Sequence, residues 1–285
     1  MKKLMRCVCV FLIMVTTTSF RPAPPSGESV SGYNESTVEN YISDLYHQID
    51  FSSCGALSYD VFNKAIHGYL NLRNAGKLSS EKEIISVCDF QLPSTEKRLW
   101  IIDLQNKKVL FNTLVAHGQG SGENYAFSFS NNNNSHQTSI GFYVTGDTYD
   151  GEHGTSLCLY GMDAGYNDAA FDRSIVVHGA DYVSERFINE NNHLGRSWGC
   201  PAVPAELSLP IINTIKDSTC LFIYYPQQSY LETAFWLNQK IHSLPGAIHD
   251  REIANNDLRT QKLTTIRYVN SRGETDSVKT FPMPQ

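Results

Sequence analysis

The sequence predicts a mainly β fold of the α+β class, a sandwich or barrel with a short helical segment in front of it. Three observations predict this. From residue 84 onward, short runs of β-branched, aromatic and aliphatic residues recur between polar turn segments. Helical spacing of apolar residues is concentrated between residues 35 and 80. The 285 residues are 41% hydrophobic and 18% charged, enough to bury a substantial core in one main domain with an added module.

The N-terminus reads as a secretory signal over residues 1–20. Lys2, Lys3 and Arg6 precede an apolar stretch at 7–15, and small polar residues follow at 16–19. The stretch is shorter than the roughly 20 apolar residues of a membrane-spanning helix. Arg6 directly before Cys7 does not fit a lipoprotein cleavage site. The expectation is an exported protein of the periplasm or cell envelope, with no transmembrane anchor after signal removal. Residues 21–34, with Pro22, Pro24 and Pro25, read as a flexible leader.

Two helices are expected in the segment 35–80. Ser36-Thr37-Val38-Glu39 has the pattern of a capping box, followed by Val38, Ile42, Leu45 and Ile49 at helical spacing. A second helix over 58–75 has Val61, Phe62, Ala65, Ile66 and Tyr69 on its apolar face, and Gly76 as its stop. Strands are then expected at 84–90, 99–104, 109–116, 141–145, 156–160, 174–178 and 220–225, with a hairpin turn at 106–108. The run Asn131 to Asn134 reads as a loop, and 206–217 as a short helix. The main domain is taken as 81–246. Residues 247–285 form a polar tail with room for a hairpin around 270–275.

A formal net charge of −6 with no long Lys/Arg run argues against a nucleic-acid partner. Outside the signal there are five cysteines, Cys54, Cys88, Cys158, Cys200 and Cys220, and no CxxC pair. An odd number in an exported chain leaves at least one free thiol unless chains pair. A zinc site from His153, Cys158, His178 and Cys200 lacks the paired local spacing of such sites, so no metal is expected.

Cys200 has the most unusual surroundings. A β-branched run ends in His178-Gly179, and after a polar interval comes Ser197-Trp198-Gly199-Cys200-Pro201. A thiolate is the reactive form of cysteine, and a nearby imidazole can take its proton and later return it to a leaving amine. Gly199 is expected to clear the approach to the sulfur and to allow a turn that aims N–H groups at a developing oxyanion. Pro201 has no N–H, so the donors must come from Cys200 or earlier. The group orienting His178 is left open between a backbone carbonyl and a carboxylate. Ser197 either hydrogen-bonds near the site or caps the turn, and Trp198 either offers a stacking surface or packs. His117 either lines the cleft or belongs to a structural turn. Gly118-x-Gly120-x-Gly122 is not a dinucleotide fingerprint, because the third glycine is misplaced.

His178-Gly179 followed by Ser197-x-Gly199-Cys200 resembles the signature of the L,D-transpeptidases of the YkuD type. The wider pattern is similar to the murein L,D-transpeptidase catalytic domain family: Val115-Ala116-His117-Gly118, then Ser139-Ile140-Gly141-Phe142-Tyr143, then Gly195 to Pro204. The similarity spans roughly residues 58–225. It implies a YkuD-like β-sandwich or barrel for the 81–246 domain, and a two-step acyl transfer through Cys200 and His178 on peptidoglycan stem peptides. The first step releases D-Ala; transfer to an amine gives a 3-3 cross-link, and transfer to water gives L,D-carboxypeptidase activity. It implies neither a metal nor an organic cofactor. Gly199, Ser197 and Trp198 would form the active-site loop, and Arg196, Gly179, His117 and Arg173 are candidate substrate contacts. The sequence departs from the common signature at Trp198, where a His is usual, and at Pro201-Ala202-Val203, where an Arg is usual. The competing readings are an exported cysteine peptidase or amidase on another peptide, and a wall-binding domain without turnover.

Overall fold

Eight strands form one sheet, in the spatial order Lys108–Thr113, Leu99–Asp103, Ile84–Asp89, Cys220–Tyr224, Gly141–Gly151, Gly154–Gly161, Val176–Ala180 and Ala202–Pro204. The computed structural model describes residues 33–151 and 154–245, together with the backbone of residues 265–269 and 275–280. The expected signal, the leader up to residue 32, His153 and most of the tail lie outside the described residues.

The chain enters through two helices, α1 (Glu35–Gln48) and α2 (Tyr59–Asn74). The capping of α1 differs from the expected box. The Asn34 side-chain carbonyl accepts from Thr37 N–H at 2.8 Å and from the Ser36 hydroxyl at 2.9 Å. Ser36 therefore sits inside the first turn as a donor, because the carboxamide of Asn34 two residues earlier already satisfies the exposed amide. Ser58 caps α2 as its position suggests, accepting from Val61 N–H at 3.3 Å. Gly76 follows α2 at φ +66°, a left-handed stop that glycine adopts without a Cβ penalty.

The strands are β1 (Ile84–Asp89), β2 (Leu99–Asp103), β3 (Lys108–Thr113), β4 (Gly141–Gly151), β5 (Gly154–Gly161) and β6 (Val176–Ala180). After α3 (Glu185–Asn191) come β7 (Ala202–Pro204), α4 (Ala205–Ile215) and β8 (Cys220–Tyr224), then α5 (Gln228–Thr233) and α6 (Phe235–Asn238). All seven expected strands are present; β7, α3, α5 and α6 are additional. In the tail, β9 (Thr265–Val269) and β10 (Thr275–Thr280) pair antiparallel with each other.

β8 lies between β1 and β4, parallel to the first and antiparallel to the second. All five of its residues are buried, as the continuous apolar run of a central strand requires. Beyond β3 the chain folds over the other end of the sheet. Ala116 N–H donates to Ala202 O at 2.8 Å, and Ala202 N–H returns a longer bond of 3.4 Å. This bridge joins the continuation of the first strand in the order to the last, so the sheet nearly closes into a barrel.

The helical segment belongs to the same core as the sheet. Val61, Phe62 and Ile66 of α2 are buried with Val87, Phe142 and Phe222. Phe142 and Phe222 stack with centroids 4.1 Å apart, a contact worth about 0.5–1.5 kcal/mol beyond area burial. Gly68 makes the approach possible: a Cβ there would lie 2.0 Å from the Phe142 ring. Among the described residues, no helix is long and apolar enough to cross a membrane.

Candidate active site

Strand alternation on β6 sends Val177 to the core and leaves Val176 and His178 on the other face. On β5, Cys158 lies opposite Val176 and Leu157 opposite Val177, so Leu157 also faces the core. A cavity of about 730 Å³ opens over the outer face, with Tyr149, Ser156, Val176 and His178 among its lining residues. β7 pairs with β6 in parallel register, His178 opposite Ala202. That register carries the loop just before β7, and with it Cys200, to the same cavity.

The Cys200 sulfur is held against β6. Sγ accepts from Val176 N–H at 3.4 Å and lies 3.7 Å from Ser174 O. Burial pushes the thiol pKa up, against the opposing effects of the Val176 N–H and the Arg173 guanidinium. The resting form at neutral pH is therefore the thiol, which needs a base to react. His178 is buried, with Nδ1 3.0 Å from Gly179 O. A carbonyl can only accept, so this contact assigns a proton to Nδ1. Of the two orienting groups left open by the sequence, the structure thus shows a backbone carbonyl against the ring.

The turn before Cys200 is locked by side chains. The Ser197 hydroxyl donates to Cys200 O at 2.6 Å and accepts from Gly199 N–H at 3.1 Å. Thr138 Oγ1 donates to Gly199 O at 3.1 Å and accepts from Gly118 N–H at 2.9 Å. Gly199 stands at φ +125°, where a side chain is strained, and a Cβ there would lie 2.8 Å from Gln137 O and 3.1 Å from the Ile175 side chain. The turn and the packed wall behind it thus each call for glycine. Its N–H is also committed to Ser197. Among the described residues the Cys200 amide has no hydrogen-bond partner.

The other candidate residues separate into two groups. Arg196, Arg173 and Trp198 line the cavity; Gly179 and His117 do not. Gly179 packs on α4, where a Cβ would meet the Ser208 Cβ at 2.7 Å. His117 is buried behind the loop. Its Nδ1 accepts from Arg98 Nη2 at 2.7 Å, its Nε2 faces Gly122 O at 3.3 Å, and its backbone carbonyl accepts from Ser197 N–H at 3.1 Å. Burial first, and then the Arg98 charge, lower its pKa to about 3, so the ring is neutral. Arg173 holds the neighbouring loop, donating to Ser130 O and Gln137 O at 2.7 Å each and to Ser139 Oγ at 2.8 Å. Arg196 Nη1 donates to Gly122 O at 3.1 Å. Trp198 is exposed at the rim and stacks on His136.

Several contributors gave no signal in the sequence. Arg98 is fully buried, and it donates to Leu92 O at 2.8 Å and Val115 O at 3.0 Å as well as to His117. Tyr182 lines the cavity, its phenol pushed up to about 12 by burial and by Cys200. Thr138 and His136 lie in a polar stretch without periodicity. All five cysteines among the described residues are free thiols.

Comparison with known proteins places this site in a family. The family model for the L,D-transpeptidase catalytic domain of the YkuD_2 type matches residues 54–224. No curated protein matches the chain. Among solved structures, an L,D-transpeptidase from Mycobacterium smegmatis is 10% identical over 50% of this chain and 59% of its own, with a TM-score of 0.31. The helical cell shape determining protein Pgp2 from Campylobacter jejuni is 13% identical over 57% of each chain, with a TM-score of 0.36. An L,D-transpeptidase from Stackebrandtia nassauensis is 13% identical over 73% of this chain and 99% of its own, with a TM-score of 0.31. The chain spans less than two thirds of the length of the first two of these. The family match covers more than half of the sequence and includes His178, Cys200 and the whole barrel, and the chain belongs to the L,D-transpeptidase catalytic domain family.

Proposed function

We propose that this protein is an exported peptidoglycan L,D-transpeptidase that works through a Cys200 thioester. The observation that carries this reading is the joint placement of Cys200 and His178 on one cavity, with the sulfur fixed on β6 and Nδ1 of the imidazole against the Gly179 carbonyl. On arrival of a stem tetrapeptide, Nε2 takes the thiol proton and the sulfur adds to the carbonyl of the third residue. The Cys200 N–H donates to the resulting oxyanion. As the carbon–nitrogen bond breaks, the imidazolium returns its proton to the departing D-Ala amine, leaving the thioester. The amine of a second stem then attacks, loses its proton to His178 and releases the sulfur, giving a 3-3 cross-link. Water in place of the amine gives the tripeptide. Arg196 is the cation for a carboxylate of the stem, since it lines the cavity while Arg173 is tied into the loop wall. The mature protein acts in the periplasm or cell envelope.

Mass spectrometry of muropeptides after incubation with wild type and Cys200→Ala tests the reading. Wild type should form 3-3 cross-linked products or convert tetrapeptide to tripeptide, and the variant should do neither. Cleavage elsewhere in the peptide would instead identify a peptidase or amidase, and binding of sacculi without product a wall-binding domain.

A further inference from the structure

The mouth of the cavity carries a side chain that acyl transfer leaves unused. Trp198 is 73% exposed, the most exposed large apolar side chain among the described residues, and it lines the same cavity as Cys200. Its indole is backed by the His136 ring, with centroids 5.1 Å apart and planes 8° from parallel. His136 is itself fixed. Gln119 Nε2 lies 3.0 Å from its Nδ1, and its carbonyl accepts from Gly120 N–H at 2.9 Å. Its φ of +54° is a left-handed conformation that is unfavourable for a residue with a side chain. A strained backbone thus holds one ring behind another, whose exposed surface meets the cavity mouth.

We propose that Trp198, backed by His136, is the stacking platform for the pyranose ring of the amino sugar that carries the donor stem. The inference rests on the acyl-transfer reading. With the third-residue carbonyl at Sγ, three extended residues already span about 10 Å, and the sugar lies just beyond them. Trp198 stands two residues from Cys200, its Cα at most about 7 Å from that of Cys200, and the indole extends farther. One face of a pyranose presents C–H bonds whose positive hydrogens match the negative face of an indole. Its hydroxyls stay hydrated at so open a position, whereas an apolar peptide side chain gains most in an enclosed pocket.

Two measurements on the full chain test the platform. In the first, a peptide-free N-acetylated amino-sugar tetrasaccharide is titrated against tryptophan fluorescence. Trp198 is the exposed indole, since Trp100 is buried and Trp236 partly so. A saturable change is expected in wild type, none in Trp198→Ala, and at least fivefold weaker binding in His136→Gly. In the second, kcat/KM for a disaccharide-tetrapeptide should exceed that for the glycan-free tetrapeptide at least tenfold. The ratio should fall toward one in Trp198→Ala and persist in Trp198→Phe. Sugar binding that survives Trp198→Ala, or a ratio that is the same in all variants, overturns the platform. Should wild type turn over neither substrate, the acyl-transfer reading fails, and the fluorescence titration decides the platform by itself.

Discussion

The Thr138 hydroxyl donates to the Gly199 carbonyl at 3.1 Å across 61 positions of sequence. The same oxygen accepts from Gly118 N–H, so one buried hydroxyl ties together the loop around 118, the segment ending at Thr138 and the turn that presents Cys200.

Thr138→Val keeps the shape and removes both bonds, leaving a buried donor and a buried acceptor unpaired. Each costs about 1–3 kcal/mol when its partner is lost. Turnover should fall about 10- to 100-fold with little change in KM, because the loop that positions the sulfur loosens while the cavity remains. Thr138→Ser should recover most of the rate. Steady-state kinetics beside thermal unfolding of the three proteins checks this; a kcat equal to wild type in the valine variant removes Thr138 from the positioning of the loop.

Arg173 bears on the proton affinity of the sulfur. Its guanidinium favours the thiolate of Cys200, in opposition to burial. Removing the cation should raise the thiol pKa, so the pH midpoint of iodoacetamide alkylation should move upward in Arg173→Ala and less in Arg173→Lys. An unmoved midpoint would show that the guanidinium serves the 130–139 loop alone.

Arg196 should act on binding. Arg196→Ala is expected to raise the donor KM about three- to tenfold with kcat little altered, the pattern of a lost ground-state contact. Kinetics with the tetrapeptide donor at two ionic strengths would reveal the charge component, since an exposed ion pair weakens with salt. A KM that matches wild type at low salt rejects the contact.

Asp163 gives the fold a pH dependence of definite sign. It is buried, accepts from Phe142 N–H at 2.7 Å and from the Tyr230 hydroxyl at 3.0 Å, and its Oδ1 has no partner among the described residues. Burial pushes its pKa up from 3.8 to about 6. The folded protein therefore binds this proton more tightly than the unfolded chain. The stabilisation is complete below about pH 4 and is lost as pH rises through about 6, a difference of about 3 kcal/mol. Asp163→Asn should flatten that part of the profile in urea unfolding measured from pH 4 to 7. A variant profile that keeps the wild-type slope would assign the dependence to another group.

Strong local patterns were legible in the sequence. The apolar run at 220–225 read as a strand, and it became β8 over Cys220–Tyr224. His178 and Cys200 stood out because a strand ending in His-Gly and a Gly-Cys turn are chemically unusual, and the structure places both on one cavity. Contributors defined by distant partners were not legible. Thr138 and Arg98 act through bonds to backbone groups brought near by barrel closure, and nothing in their own segments marks them. β7 has three residues and ends in proline, too short to show alternation. The turn at Gly199 was legible, whereas its positive φ and the wall behind it exist only in three dimensions.

The Ala116–Ala202 bridge also bears on heat inactivation. It closes the barrel outside the regular strand pairings, and the sulfur and the imidazole lie beside it. Thermal breathing at this seam would loosen the wall behind the turn that presents the sulfur while the β6–β7 pairing and the central strands stay intact. Turnover would then fade several degrees below the global melting midpoint and return on cooling, and the exchange rate of the Ala116 amide would report the fraction of molecules able to react.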